Sequence, residues 1–376
     1  MKRVFWRFAA LPVVTVIVSA AAAPAQLPPP LPAPPKELVL DQPCPAVAKT
    51  GTDSEEGGLI PLKVGLTLTR IWNIDDKDPD RESLTQVTAI DPVSVMTTTT
   101  GPSAINRRIA TWTRRVCRAD MRNAYLYQPS ALTTDPDVVG GSTLFSLSTR
   151  AWRELDQQGR TRHRLIRLVA HWQGASEQLD IDREGVLADV QRGTMPVIVN
   201  DRLVDLPVLK ASAKMLDKMV HVAILNDAHF PLVLDYNWPE IGYRLRYTKI
   251  SYPSNAIERA LTKDKRVDVY GIYFDFAQDV PRNESEPVLR EIADLMKAHP
   301  DWTLAINGHT DNVGGATSNL ALSRRRADAV RRALVERFGI DGRRFTTAGF
   351  GLSAPKATND TIEGRAQNRR VELVRQ

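Results

Sequence analysis

The sequence predicts two folded domains. One is a β-rich antiparallel N-terminal domain, built as a sandwich or an open barrel. The other is an α/β two-layer C-terminal domain, a βαβαβ arrangement with helices packed on a mixed sheet. Three observations predict this. Apolar and polar residues alternate with period two through most of residues 40–252, which marks antiparallel strands with one face in a core. From residue 266 the pattern becomes strand, helix, strand, helix, strand, which requires helices laid on a sheet. Between the two, residues 253–265 are polar and begin with turn residues, so they read as a linker with room for one short helix.

The first residues read as a secretory signal over residues 1–25. Lys2, Arg3 and Arg7 precede an apolar run from Phe8 to Val18, and Ala23-Pro24-Ala25 supplies a small-residue cleavage pattern. The apolar run is short for a spanning helix, which needs about 20 residues, and Pro12 interrupts it. Residues 26–39 form a proline-rich tether, a composition that favours extended polyproline II. The formal charge is +6 and falls to +3 once the three basic residues of the signal are removed. So small an excess argues against nucleic acid and suits an acidic polymer or a membrane surface. The two cysteines, Cys44 and Cys117, either pair in an oxidising compartment or remain as two buried thiols.

Within residues 40–252, Leu62, Val64, Leu66 and Leu68 alternate with polar or small residues, as do Ile166, Leu168, Ala170 and Trp172, and Tyr243, Leu245 and Tyr247. Val197-Ile198-Val199, Asn200-Asp201 and Leu203-Val204 predict a tight hairpin, because Asn and Asp accept the left-handed backbone of a two-residue turn. Asn226-Asp227 predicts a second turn between strands. An outer-membrane barrel is disfavoured, since many of these strands carry Arg or Lys and the alternation is often broken.

In the C-terminal part, residues 267–276 read as a buried strand. Residues 287–299 read as a helix with Val288, Ile292, Leu295 and Met296 on one face and Pro287 in its first turn. Residues 302–306 form the next strand. Residues 320–338 form a helix with the stripe Ala327, Val330, Leu334 and Phe338, ended by Gly339. Residues 345–348 and 370–374 add further strands.

Five motifs occur in order through this region: Phe274-Asp275-Phe276, Gly308-His309-Thr310-Asp311-Asn312-Val313-Gly314, Asn319-Leu320-Ala321-Leu322-Ser323 with Arg326-Ala327, Gly349-Phe350-Gly351, and Gly364 through Glu372 with its Asn368-Arg369-Arg370 core. Together they resemble the OmpA-like C-terminal peptidoglycan-binding family over about residues 266–376. The resemblance covers under a third of the chain and leaves residues 40–252 unassigned.

The resemblance implies a ligand, the peptidoglycan stem peptide and chiefly its diaminopimelate, whose free end carries an ammonium and a carboxylate on one carbon. Such an end calls for one anion and one guanidinium in a groove: Asp311 accepts from the ammonium and Arg326 presents a planar fork to the carboxylate. Asn319 either holds the ligand or caps its helix. Thr310 is expected to add a backbone or hydroxyl contact, and Arg369 to border the site. Gly308, Gly349 and Gly351 read as turn residues, and His309 as structural. After Phe276 the chain continues Ala277-Gln278-Asp279, where the family commonly has an acidic residue sooner.

No nucleophile elbow, metal-binding helix or phosphate loop occurs, so no catalytic residue, cofactor or metal site is expected. His163, His171, His221 and His229 lie along strands without clustered Cys or carboxylate partners. The expectation is a non-enzymatic anchor of the Gram-negative cell envelope, periplasmic and associated with the outer membrane. Its partners are peptidoglycan and, through the β-rich domain, an envelope protein, with no nucleic acid. Two alternatives stand beside it: an inner-membrane, stator-like protein that retains its N-terminal helix, and a cell-wall enzyme that uses the C-terminal domain for targeting.

Overall fold

The alternating sequence folds into the strands of a large, mostly antiparallel sheet, in which polar side chains such as Thr67, Thr69, Ser83 and Thr85 are buried alongside the apolar ones. In strand β1 (Thr67–Asn73) and its neighbour β2 (Arg81–Ile90), Leu68, Ile71, Leu84 and Val87 are buried. The computed structural model describes residues 44–45, 58–73, 81–102, 109–127, 141–169, 178–215, 217–239 and 243–376. The signal segment 1–25 and the tether 26–39 lie outside them.

Strands β3 (Ser94–Pro102) and β4 (Ile109–Cys117) continue the sheet on one side. A short helix α1 (Arg118–Asn123), two-residue strands β5 (Leu126–Tyr127) and β6 (Ser142–Thr143), helix α2 (Thr149–Gln158) and strand β7 (Thr161–Val169) follow. Ser148 caps α2 by accepting the Ala151 amide, and Gly159 ends it in the left-handed conformation. These helices carry no long apolar stripe, so period-two reading passed over them. Then come β8 (Gln178–Val199), β9 (Arg202–Met215), β10 (Lys218–Leu225), β11 (Val233–Trp238) and β12 (Tyr243–Ser251).

The twelve strands run in the order β4-β3-β2-β1-β12-β11-β10-β9-β8-β7-β5-β6. β12 also pairs with β8 in parallel, Lys249 opposite Ile198, which joins β8 through β12 into a ring within the larger sheet. Parallel pairs β5–β6 and β5–β7 further depart from the all-antiparallel expectation. The hairpin between β8 and β9 turns on Asn200 (φ 42°) and Asp201 (φ 67°), as the sequence predicts. Strand β1 starts later than the alternation from Leu62 suggested: residues 58–66 are not strand, and Gly65 turns the chain at φ +87°. Cys44 is bonded to Cys117 at the end of β4, with Cα atoms 5.2 Å apart.

Residues 256–263, within the segment read from sequence as a linker with room for one short helix, form helix α3 (Ala256–Lys263). Ile257 and Leu261 from α3 sit in the same core as Leu289, Leu304, Val330 and Leu373, so this segment is part of the C-terminal body. Strand β13 (Arg266–Val269) is short; residues 270–276 leave the ladder, so the buried strand predicted to residue 276 ends early. Helix α4 (Glu286–Ala298), strand β14 (Leu304–His309), helix α5 (Ala316–Glu336), strand β15 (Phe345–Gly351), helix α6 (Ile362–Asn368) and strand β16 (Val371–Arg375) complete the chain. The order β13-β16-β14-β15 is mixed: β14 and β15 are parallel, and β16 is antiparallel to β13 and β14. Helix α6 adds a third helix to the expected βαβαβ string.

All described residues fall in one compact unit. The two sheets meet through polar contacts. Asp201 accepts the Tyr270 amide at 2.7 Å, Ser251 and Tyr273 hydroxyls lie 2.9 Å apart, and Arg282 donates to the Thr100 carbonyl at 2.8 Å.

Candidate functional site

A cleft of about 840 Å³ opens at the C-terminal end of β14. Its floor and walls include Thr310, Asp311, Asn319, Arg326 and Arg369, the five ligand contacts expected from sequence. The fold assembles them in three steps. Strand β14 ends at His309 and delivers Thr310 and Asp311 to the sheet rim. Helix α5 then starts at Ala316 and places Asn319, Leu322 and Arg326 on one face, at i, i+3 and i+7. Beside that face, α5 buries Ala327, Val330 and Leu334 against the sheet, with Val330 one turn on from Arg326. Finally α6 leads into β16 and carries Arg369 back to Asp311.

Close packing of α5 on the strands depends on glycine. A Cβ at Gly308 would lie 2.1 Å from the Ser323 carbonyl oxygen, and one at Gly349 would lie 2.5 Å from the Arg324 amide nitrogen. These two positions are therefore helix-against-strand contacts, whereas the sequence reading took them for turns. Gly351, at φ +51°, also approaches the helix at Leu320.

Asp311 is largely buried. One of its oxygens, Oδ1, accepts the Val313 amide at 3.1 Å, and the other, Oδ2, accepts Arg369 Nη1 at 2.6 Å. Arg326 is held differently. Its Nε donates to the Gln278 carbonyl at 2.9 Å, its Nη2 donates to the Asp275 carbonyl at 3.2 Å, and its guanidinium lies over the Phe274 ring, 4.7 Å from the centroid. Among the described residues it pairs with no carboxylate. Burial pulls its pKa down to about 10, against the pull of Glu82 and Asp311, so it stays a cation at neutral pH. Asp311 and Arg326 therefore share one cleft without being each other's salt bridge.

The other expected contacts take up structural duties. Asn319 does not cap α5, whose N-cap is Gly315; its Nδ2 donates to the Val313 carbonyl at 3.1 Å and ties the rim loop to the helix. The Thr310 amide donates to Gly351 O at 2.9 Å, while its hydroxyl has no hydrogen-bond partner among the described residues. Arg369, expected as a ligand contact, commits Nη1 to Asp311 and Nη2 to Glu82, each at 2.6 Å. Its neighbours in the Asn-Arg-Arg motif are also spent internally. Asn368 accepts the Lys356 and Ala357 amides, and Arg370 donates to Asp268 at 2.9 Å. His309 is buried and stacked on Phe350, and burial holds its pKa at about 4, in keeping with the structural role read from sequence. Asp279 pairs with Arg325 at 3.1 Å rather than reaching Arg326.

Sequence reasoning missed the residues the larger sheet contributes. Glu82, Pro102, Ile109 and Lys249 line the same cleft. Burial opposes ionisation of Glu82, but Arg369 and Lys249 outweigh it and hold the carboxyl at about 2. No motif marks these positions, because their role comes only from the docking of one sheet on the other.

Residues 273–369 match the OmpA family. Over 101 residues the chain is 45% identical to outer membrane porin F of Pseudomonas aeruginosa, covering 27% of this chain and 29% of that protein. Over 87 residues it is 48% identical to peptidoglycan-binding protein ArfA of Mycobacterium tuberculosis, covering 23% of this chain and 26% of that one. The chain thus spans under a third of the length of either relative. Among solved structures it is similar to the peptidoglycan-associated lipoprotein of Burkholderia pseudomallei, with 36% identity, 28% of this chain and 88% of that chain covered, and a TM-score of 0.26. Residues 273–369 of this chain belong to the OmpA family.

Proposed function

We propose that the cleft binds the free diaminopimelate end of a peptidoglycan stem peptide and so anchors the chain non-covalently to the cell wall. One observation carries this reading. Arg326 is a desolvated cation fixed by two backbone carbonyls and an aromatic face, with no carboxylate partner among the described residues, and it faces the same cleft as the carboxylate of Asp311. A guanidinium so placed is preorganised for a ligand carboxylate, and Asp311 retains lone pairs for an ammonium. The likeness to a peptidoglycan-binding relative supports the same reading.

In this reading the chain is exported on its signal segment, residues 1–25. It is periplasmic, associated with the outer membrane, and spaced from its N-terminus by the tether 26–39. Residues 40–252 serve as a β-rich domain that presents a surface to an envelope partner, and the wall-binding body is centred on residues 266–376. Its role is binding, with no chemistry performed on the wall. Two or three charge-assisted hydrogen bonds, less ordering costs, give an affinity of roughly micromolar to millimolar. A polymer that repeats the ligand holds such a weak site by rebinding.

Co-sedimentation with purified sacculi tests the reading. The intact chain pellets, and Asp311→Ala and Arg326→Ala each reduce the bound fraction at least about tenfold while keeping the same circular dichroism spectrum. Retained binding in both folded variants would remove the assignment.

A further inference from the structure

The larger sheet supplies a charge to the cleft that the family motifs do not contain. Glu82 on β2 accepts Arg369 Nη2 at 2.6 Å, and Lys249 on β12 approaches the same carboxylate at 3.6 Å. Arg369 gives its other terminal nitrogen to Asp311, also at 2.6 Å. Four charges therefore run in series, Lys249, Glu82, Arg369 and Asp311, across the junction of the two sheets. They balance two against two, while Arg326 has no carboxylate partner among the described residues.

An arginine beside a single carboxylate tends to take it bidentately, with two parallel N–H···O bonds. Such an embrace at Asp311 would set the Arg369 charge in direct competition with a ligand ammonium. In the observed arrangement the fork is divided, one nitrogen to each acid, so Asp311 carries only half of it. Without Glu82, the acids lining the cleft would be Asp275 and Asp311, against Lys249, Arg282, Arg325, Arg326, Arg369 and Arg370. A site of that charge favours plain anions over zwitterions.

We propose that Glu82 is a positioning residue that sets the specificity of the cleft. By dividing the Arg369 fork and balancing Lys249, it keeps Asp311 open to an ammonium and makes the site select a zwitterionic amino-acid end over a simple carboxylate. This rests on the wall-binding reading above, and it assigns to the β-rich sheet a direct share in ligand choice.

The test uses the full chain and two synthetic stem peptides. One ends in diaminopimelate with its side-chain amine free; the other has that amine acetylated, leaving only the carboxylate. Titration calorimetry gives the ratio of the two affinities. Glu82→Gln lowers affinity for the free-amine peptide about tenfold and leaves or raises that for the acetylated one, so the ratio collapses. Glu82→Asp, which keeps the charge, retains most of the ratio. Merely loosening the sheet junction would weaken both peptides alike, and so would not change the ratio. Should Glu82→Gln fold poorly with Lys249 left buried and unpaired, Glu82→Gln with Lys249→Met removes both charges and is held to the same ratio. An unchanged ratio in a folded Glu82 variant overturns the proposal while leaving wall binding intact. Failure of the wild type to bind either peptide overturns the wall-binding reading, and this inference with it.

Discussion

At the scale of single residues, the site is a matter of where charge is already spent. Asp311, Arg369, Glu82 and Lys249 satisfy one another, while Arg326 leans on carbonyls and a ring. Arg326→Lys keeps a positive charge but loses the planar fork that reaches both carbonyls and lies over Phe274. It is therefore expected to bind sacculi nearly as poorly as Arg326→Ala, measured by the same co-sedimentation. A second residue-scale prediction concerns His163, buried among Tyr127 and Tyr236 with neither ring nitrogen hydrogen-bonded among the described residues. Burial depresses its pKa from 6.5 to about 4. The unfolded chain thus binds a proton that the fold excludes. The contribution of the neutral ring is complete above about pH 6.5 and is lost as pH falls from there toward 4. His163→Phe, which removes two unpaired polar atoms at similar shape, is expected to be neutral or stabilising at pH 7 and to flatten the fall in urea-unfolding stability between those pH values.

At the scale of elements, the glycines of β14 and β15 set how near α5 can come. Gly308→Ala places a methyl 2.1 Å from the Ser323 carbonyl oxygen, a backbone atom that cannot swing aside. The expected cost is about 2–3 kcal/mol, read as a lowered urea midpoint, with wall binding lost as the helix shifts Arg326. Much of this level was legible in the sequence. The Asn200-Asp201 hairpin, helices α4 and α5 and strand β14 follow from turn chemistry and periodicity, which act over a few residues. The short helices α1, α2 and α6 were not legible, because six to ten residues show too little periodicity to separate from loop. α3 was legible as a short helix in a linker but not as part of the C-terminal core, since only Ile257, Ala260 and Leu261 of its residues are buried. The site was half legible for a related reason. Motif residues named the cleft, but Arg369's partners lie 58 and 287 positions away, and the walls from Glu82 and Lys249 come from the other sheet.

At the scale of the whole molecule, two sheets share one cleft, and their junction carries several polar contacts beside the apolar cluster of Ile198, Tyr270 and Ala366. Asp201, Ser251, Thr100 and Glu82 on one side meet Tyr270, Tyr273, Arg282 and Arg369 on the other. The larger sheet is tied at one edge by the Cys44–Cys117 bond, which closes a loop of 73 residues. In the chain-entropy model a loop of that size stabilises by about 4 kcal/mol. Reduction, or Cys117→Ser, is therefore expected to lower the urea midpoint of the β-rich part strongly, in the same assay that follows Gly308→Ala.

The central claim is that Arg326 receives a ligand carboxylate within a cleft where Asp311 receives its ammonium. The most direct measurement is a titration of the full chain with a stem peptide ending in free diaminopimelate, compared with the same peptide carrying a carboxamide at that end. The account predicts that amidation weakens binding to the wild type at least about tenfold and makes no difference to Arg326→Ala. Equal affinity of the wild type for the acid and the amide would contradict it.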